Sequence, residues 1–313
     1  MDAARARPTS PTFARILVPL DGSRLAEATL PVAARLAAAF GSDLVLLHVL
    51  ERDARSTVHG DRHLTDRGTA EEYLRGIADD LRSRGVAAAF HVHDVPQADV
   101  AASVAEHGAE ERADLIVLCT HGRGGVRGFL WGSIAQQVLR RGSTPVLLVR
   151  APAGGAPAPA FAPETILVAL DATAAAEAAL PVAATLAAKL GARLHLTVVV
   201  ATLATVRDDR RAASLLMPIA TRAMLDLEEG QAATYLGELA GDLGASGIEV
   251  ETEVRRGDVA AELAGEASEH GAGLVVAATH GRAGVQAIWA GGTVARLLGR
   301  TAAPVLLLRI VEP

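Results

Sequence analysis

The chain says nearly the same thing twice. Arg15-Ile-Leu-Val-Pro-Leu-Asp21-Gly-Ser23 recurs as Thr165-Ile-Leu-Val-Ala-Leu-Asp171-Ala-Thr173, an offset of 150. From Ile16 to Leu46, 19 of 31 positions match their partners. Toward the ends, Thr120-His-Gly-Arg-Gly-Gly-Val126 returns as Thr279-His-Gly-Arg-Ala-Gly-Val285, and Pro145-Val-Leu-Leu-Val-Arg150 as Pro304-Val-Leu-Leu-Leu-Arg309. Identity on this scale is a duplication, so one fold must be solved and used twice.

Between the copies, Ala151 to Pro163 is rich in Pro, Gly and Ala and reads as an extended linker. The expected organisation is a disordered tail at 1–13, a first domain at 14–150, the linker at 151–163 and a second domain at 164–313. Each half is near the commonest domain size.

Within the first half, Arg15–Leu20, Asp43–Val49, Ala87–His93, Asp114–Cys119 and Thr144–Val149 are short Val/Ile/Leu runs bounded by Gly, Asp or Pro. Such runs predict strands buried on both faces, hence a parallel sheet. Leu25–Phe40, Ala70–Arg84, Ala98–His107 and Ser133–Arg141 predict the helices between them. The expected fold class is α/β: two tandem doubly wound parallel-sheet domains of the Rossmann-like type, each five-stranded in the order 3-2-1-4-5. Pro31 and Pro181 fall inside the first predicted helix of each half, which proline should kink or delay. The closing strands, at Pro145–Val149 and Pro304–Leu308, would be apolar edges. An intramolecular pseudo-dimer that pairs them antiparallel would cover both.

Composition removes several classes of function. The net charge is -6 and no dense basic run occurs, which argues against nucleic acid as a partner. No uninterrupted apolar run of about 18 residues suggests a membrane span, and the expected location is cytoplasmic. The single cysteine, Cys119, excludes a disulfide framework or a cysteine metal cluster. Lys189 is the only lysine, so a lysine-bearing P-loop is absent.

In an open α/β sheet, ligands bind beyond the carboxyl ends of strands where the strand order reverses. Two segments at such ends carry unusual chemistry. Asp21-Gly22-Ser23 follows the first strand. Gly122 follows the fourth, with nine residues before Gly132-Ser133, where a helix is expected to begin. Glycines let backbone approach a ligand, and a helix N-terminus offers free N–H groups and partial positive charge. Together they make a phosphate cradle that needs no lysine, and Ser133 adds a hydroxyl. Asp21 suits the other end of a nucleotide, as an acceptor for ribose or base or as a magnesium ligand. Asp21 as a simple helix cap is the plainer alternative.

With these residues the chain resembles the universal stress protein family in its tandem form. The Ile16–Ser23 opening, His48-Val49, the Thr120–Gly125 loop, Gly132-Ser133 and Pro145–Val149 carry the resemblance. It implies an adenine-nucleotide-binding α/β fold, often dimeric and raised under stress. Many members bind ATP through G-x2-G-x9-G-[ST], and others lack the pattern. By this resemblance Asp21 contacts adenosine, Val49 meets adenine through its backbone, and Gly122, Gly132 and Ser133 hold phosphates. Leu20, Gly22, Arg123 and Gly124 complete the first set. The second set is Asp171, Val199, Gly281, Arg282, Gly291, Gly292 and Thr293. The family's first glycine is Cys119 in one half and Ala278 in the other, Gly22 becomes Ala172, and Ser133 becomes Gly292. The second site is the more degraded.

Other residues read more plainly. His121 and His280 are turn histidines and His59 and His63 lie in a polar loop, none with a catalytic setting. His91 and His93 would share one strand face, but without a third ligand at metal spacing they read as structural, and no metal site is expected. The irregular segment Ser56–Thr69 reads as a solvated connection or a lid. The resulting expectation is an ATP-binding stress-response module, ATP with or without Mg, and not an enzyme. The alternatives are a slow ATPase or phosphoryl-transfer enzyme and a nucleotide-free interaction module. A homodimer and an unidentified protein partner complete the expected partners.

Overall fold

The computed structural model describes residues 13–52, 57–58, 60–97, 99–120, 133–152, 156–206, 216–280 and 292–310. In the first half the strands are β1 (Arg15–Pro19), β2 (Asp43–Glu51), a small hairpin of β3 (Thr57–Val58) and β4 (Asp61–Arg62), β5 (Ala88–Gln97), β6 (Leu115–Thr120) and β7 (Val146–Arg150). Its helices are α1 (Arg24–Glu27), α2 (Leu30–Phe40), α3 (Arg67–Ser83), α4 (Val100–Glu110) and α5 (Ser133–Arg141). The second half repeats the pattern with β8 (Thr165–Leu170), β9 (Arg193–Val200), β10 (Val250–Arg256), β11 (Leu274–His280) and β12 (Val305–Ile310). Its helices are α6 (Ala174–Glu177), α7 (Ala179–Leu190), α8 (Pro218–Gly244), α9 (Val259–Glu269) and α10 (Thr293–Arg300).

Among the described residues, ten strands form one sheet in the order β10-β9-β8-β11-β12-β7-β6-β1-β2-β5. Within this sheet, pairing is parallel inside each half and antiparallel only at the central seam, where Val305, Leu306 and Leu307 face Leu148, Leu147 and Val146. The closing strands thus cover each other. Two arginines fasten the seam: Arg150 donates to Thr301 O at 3.3 Å, and Arg309 donates to Arg140 O at 3.1 Å and to Gly142 O. Each caps the last helix of the other half, whose final carbonyls lack helical partners. The outer edge at β10 is guarded by the charges of VETEVRR.

Both faces of the sheet are buried, which explains the unbroken apolar runs. Ile16, Val18 and Leu20 pack on Val32, Ala33 and Leu36 of α2. Leu17, between them, points to the opposite face with Ala101 and Val104 of α4 and Val138 of α5. Leu17 is fully buried. Truncating it to alanine should cost about 2–5 kcal/mol.

The proline conflict resolves into a break. The predicted single helix is two: α1 ends at Glu27 and α2 starts at Leu30, with Pro31 in the first turn, where a missing N–H costs nothing. The Thr29 hydroxyl, donating to Ala26 O at 2.7 Å, closes the joint. Phe13, assigned to the tail, is buried against Phe40, with ring centroids 5.2 Å apart. Phe161, assigned to the linker, is also in the core.

Candidate functional site

β1 lies between β2 and β6, and the crossover from β1 to β2 and the crossover from β6 to β7 run in opposite directions. The register pairs Ile16 with Leu115 and Leu17 with Ile116, which brings the end of β1 beside Cys119 and Thr120. The two segments singled out in the sequence therefore leave the sheet next to each other.

The first turn is tightly built. Asp21 Oδ1 accepts from Ser23 N at 2.9 Å and from the Ser23 hydroxyl at 2.6 Å. That hydroxyl in turn accepts from Ala26 N at 3.2 Å, so Ser23 is the cap of α1 and Asp21 stands one step behind it. The plain reading of Asp21 as the helix cap is corrected on that point. Gly22 has φ +87°, and a Cβ there would come 2.7 Å from Leu64 Cγ. Leu20, 3% exposed, donates its N–H to Leu47 O at 2.8 Å.

His48 joins these parts. Its ring is buried, with Nδ1 2.8 Å from Leu20 O and Nε2 3.0 Å from Leu64 O. It ties the end of β1 to the segment before α3. Asp61 adds a second tie, accepting from Arg24 N at 3.0 Å. The expectation of a solvated connection fails here: Leu64 and His63 are buried and the β3–β4 hairpin is bonded to α1. Sequence reasoning missed Leu64 and the bridging role of His48. The one available signal was an imidazole at a buried position of an otherwise apolar strand.

At the end of β6, Cys119 pairs in register with Val149 and adopts no left-handed backbone. Replacing the family's glycine there costs the backbone nothing. Burial pushes the Cys119 thiol up to about 12, opposed by a bond from Ala151 N and reinforced by the Asp21 carboxylate. α5 begins at Ser133. Gly122, Arg123, Gly124 and Gly132 lie outside the described residues. Val49, on β2, is buried and pairs with His93 of β5.

The second half keeps the same turn with fewer ties. Asp171 Oδ1 accepts from Thr173 N at 3.1 Å and from the Thr173 hydroxyl at 2.6 Å. Ala172 holds φ +59°, a left-handed conformation that costs a Cβ-bearing residue about 1–2 kcal/mol. Val198 stands where the first half has His48. Val199 pairs with Arg255. Gly281, Arg282 and Gly291 lie outside the described residues. Gly292 caps α10 with φ +66° and no side-chain bond, and Thr293 is the first helical residue.

A family model described as the universal stress protein family matches residues 12–150 and again 163–309. The chain belongs to the universal stress protein family. It is the tandem form, with one domain in each half. Among solved structures, a universal stress protein from Archaeoglobus fulgidus DSM 4304 aligns with a TM-score of 0.69 at 20% identity, covering 95% of this chain and 97% of that one. A putative universal stress protein from Pseudomonas aeruginosa UCBPP-PA14 aligns at 0.65 and 17%, covering 96% and 94%. At these identities the likeness is one of fold. A comparison with curated proteins gave no match. Among the described residues, no helix of this universal stress protein is long and apolar enough to cross a membrane.

Proposed function

We propose that the first half binds an adenine nucleotide, ATP, in the crevice beyond β1 and β6, and that the protein works by occupancy rather than turnover. The observation that carries this reading is the adjacency of β1 and β6 at the point where strand order reverses. There Asp21, fixed by Ser23, faces the strand end that leads to Gly122, Gly132 and the start of α5 at Ser133. A carboxylate for ribose, base or magnesium, opposite a glycine-rich segment and a helix start for phosphates, matches the two ends of a nucleotide. Leu20, Gly22, Val49, Arg123 and Gly124 would line the same crevice. A homodimer and a protein partner that reads occupancy belong to the same proposal.

Mass spectrometry of the denatured purified chain should release ATP. In calorimetry, Asp21→Ala and Gly122→Glu should each weaken ATP binding about tenfold or more, by loss of an acceptor and by charge and bulk among the phosphates. Unchanged affinity in both variants removes this site. Phosphate release above the blank at high protein concentration would replace the binding module with a slow ATPase.

The second site, built on Asp171, Val199, Gly281, Arg282, Gly291, Gly292 and Thr293, should be weaker. Gly292 lacks the hydroxyl of Ser133, a loss worth about ten- to a hundredfold. Titration should approach one tight site per chain, and two equal sites would contradict the asymmetry.

A further inference from the structure

The layer between α4 and the end of β5 holds a cluster that the nucleotide reading leaves unused. β5 contributes His91 and His93, two residues apart and therefore on one face. α4 contributes His107, which is buried. One nitrogen of each ring lies within 4.8 Å of the others. The sequence could not supply this third member, because fourteen residues and a strand-to-helix turn separate it from His93.

The tautomer of His107 is fixed by its surroundings. Nδ1 lies 2.9 Å from Ser103 O, a carbonyl that can only accept, so Nδ1 carries the proton and Nε2 presents a lone pair. A backbone bond of this kind is how ligating imidazoles are normally oriented. His107 Nε2 lies 3.4 Å from His93 Nδ1. Two nitrogens bound to one tetrahedral zinc at about 2.0–2.1 Å are separated by about 3.3–3.4 Å. His91, on the exposed side, can close the remaining gap by side-chain rotation.

The duplicate offers an internal comparison. Val49 pairs with His93 and Val199 with Arg255, so Arg255 holds the place of His93. Glu266, 159 residues on, holds the place of His107. Arg255 bonds Glu266 and Glu269, and Glu266 also accepts from His195 Nε2 at 2.6 Å. There the layer carries its own cation, a guanidinium, among carboxylates. In the first half the same layer is lined by imidazoles.

We propose that His91, His93 and His107 form a three-imidazole site for a divalent transition ion of the zinc class, with a fourth position open to water. Imidazole donors select such ions over magnesium or calcium. An open position makes the ion exchangeable rather than purely structural.

The test uses the full chain without a histidine tag, stripped with chelator and titrated with Co²⁺ and then with Zn²⁺. Wild type should bind one Co²⁺ with an intense visible spectrum of tetrahedral type, and Zn²⁺ should displace it. His91→Ala and His93→Ala should each weaken Zn²⁺ binding about a hundredfold or more, since even orienting partners of metal ligands are worth ten- to a hundredfold. Both positions are accessible enough for circular dichroism to show an intact fold. His270→Ala should leave binding unchanged. Absence of saturable binding in wild type, wild-type affinity in either ligand variant, or loss on His270→Ala instead would each overturn the site.

Discussion

The turn after β1 and the turn after β8 have the same skeleton and different reinforcement. Both place an aspartate two residues before a hydroxyl that caps a four-residue helix. Only the first adds a glycine under Leu64 and a histidine bridging two backbone carbonyls. The second runs the same left-handed residue as Ala172, with Val198 opposite. The fold therefore needs only the aspartate–hydroxyl pair. The extra ties of the first half fix the end of β1 beyond what folding requires.

The sharpest way to break this contrast is Gly22→Ala. The added methyl meets both a left-handed backbone and Leu64, and should destabilise the first half by about 2–4 kcal/mol in urea unfolding. A loss under 1 kcal/mol would mean that Leu64 does not press on this turn. Next in size is His48→Val, which copies the second half's residue. It removes the ring held between Leu20 O and Leu64 O, leaves at least one of these carbonyls without its donor, and should cost about 2 kcal/mol. Backbone amide exchange should speed up around Leu64, and unchanged protection there would contradict the bridge.

A smaller effect of opposite sign is expected from Ala172→Gly. Relief of the left-handed strain should stabilise the second half by about 1 kcal/mol. A destabilising result would show that the methyl packs productively.

The smallest test is spectroscopic. The chain has two tyrosines, one in each half. The Tyr73 hydroxyl donates to Glu27 Oε1 at 2.9 Å. Burial first, then the Glu27 carboxylate, push its pKa far above the ordinary value. Burial and then Glu177 push Tyr235 up to about 12. Both groups stay protonated in the fold while unfolded tyrosine ionises near 10, so their contribution is complete below pH 10; it is lost between there and about 12 for Tyr235 and over a wider range at higher pH for Tyr73. Tyrosinate absorbance should stay flat to beyond pH 10, with Tyr235 rising before Tyr73. A native transition near pH 10 would remove the burial argument for that residue.

Much of this was legible from residues alone, because it rests on local pattern. Duplication, strand runs and the prolines placed the elements, and the Pro31 conflict was itself the sign of a helix broken at Ala28 and Thr29. Asp21 with Ser23 was visible because it is a three-residue motif. Leu64 and His107 were not, since each acts on residues far away in sequence: Leu64 on Gly22, His107 on His93. Phe13 looked like tail because one aromatic after a polar stretch has no periodicity to place it. Cys119 stands out as a departure only when the glycine pattern is read without its strand register. In place, the residue sits in an ordinary ladder.

The antiparallel seam has a geometric outcome for both crevices. Strands within a half share one direction, and crossing from β7 to β12 reverses it. The carboxyl edge of one half therefore lies on the side of the molecule where the other half presents its amino edge. β1 and β8 are also five strand positions apart, about 24 Å at the usual spacing. No single small ligand can touch both, and a partner docked over one leaves the other uncovered. The molecule is a two-headed body whose carboxyl edges look outward in opposite directions, so anything held at one edge is kept out of contact with anything held at the other.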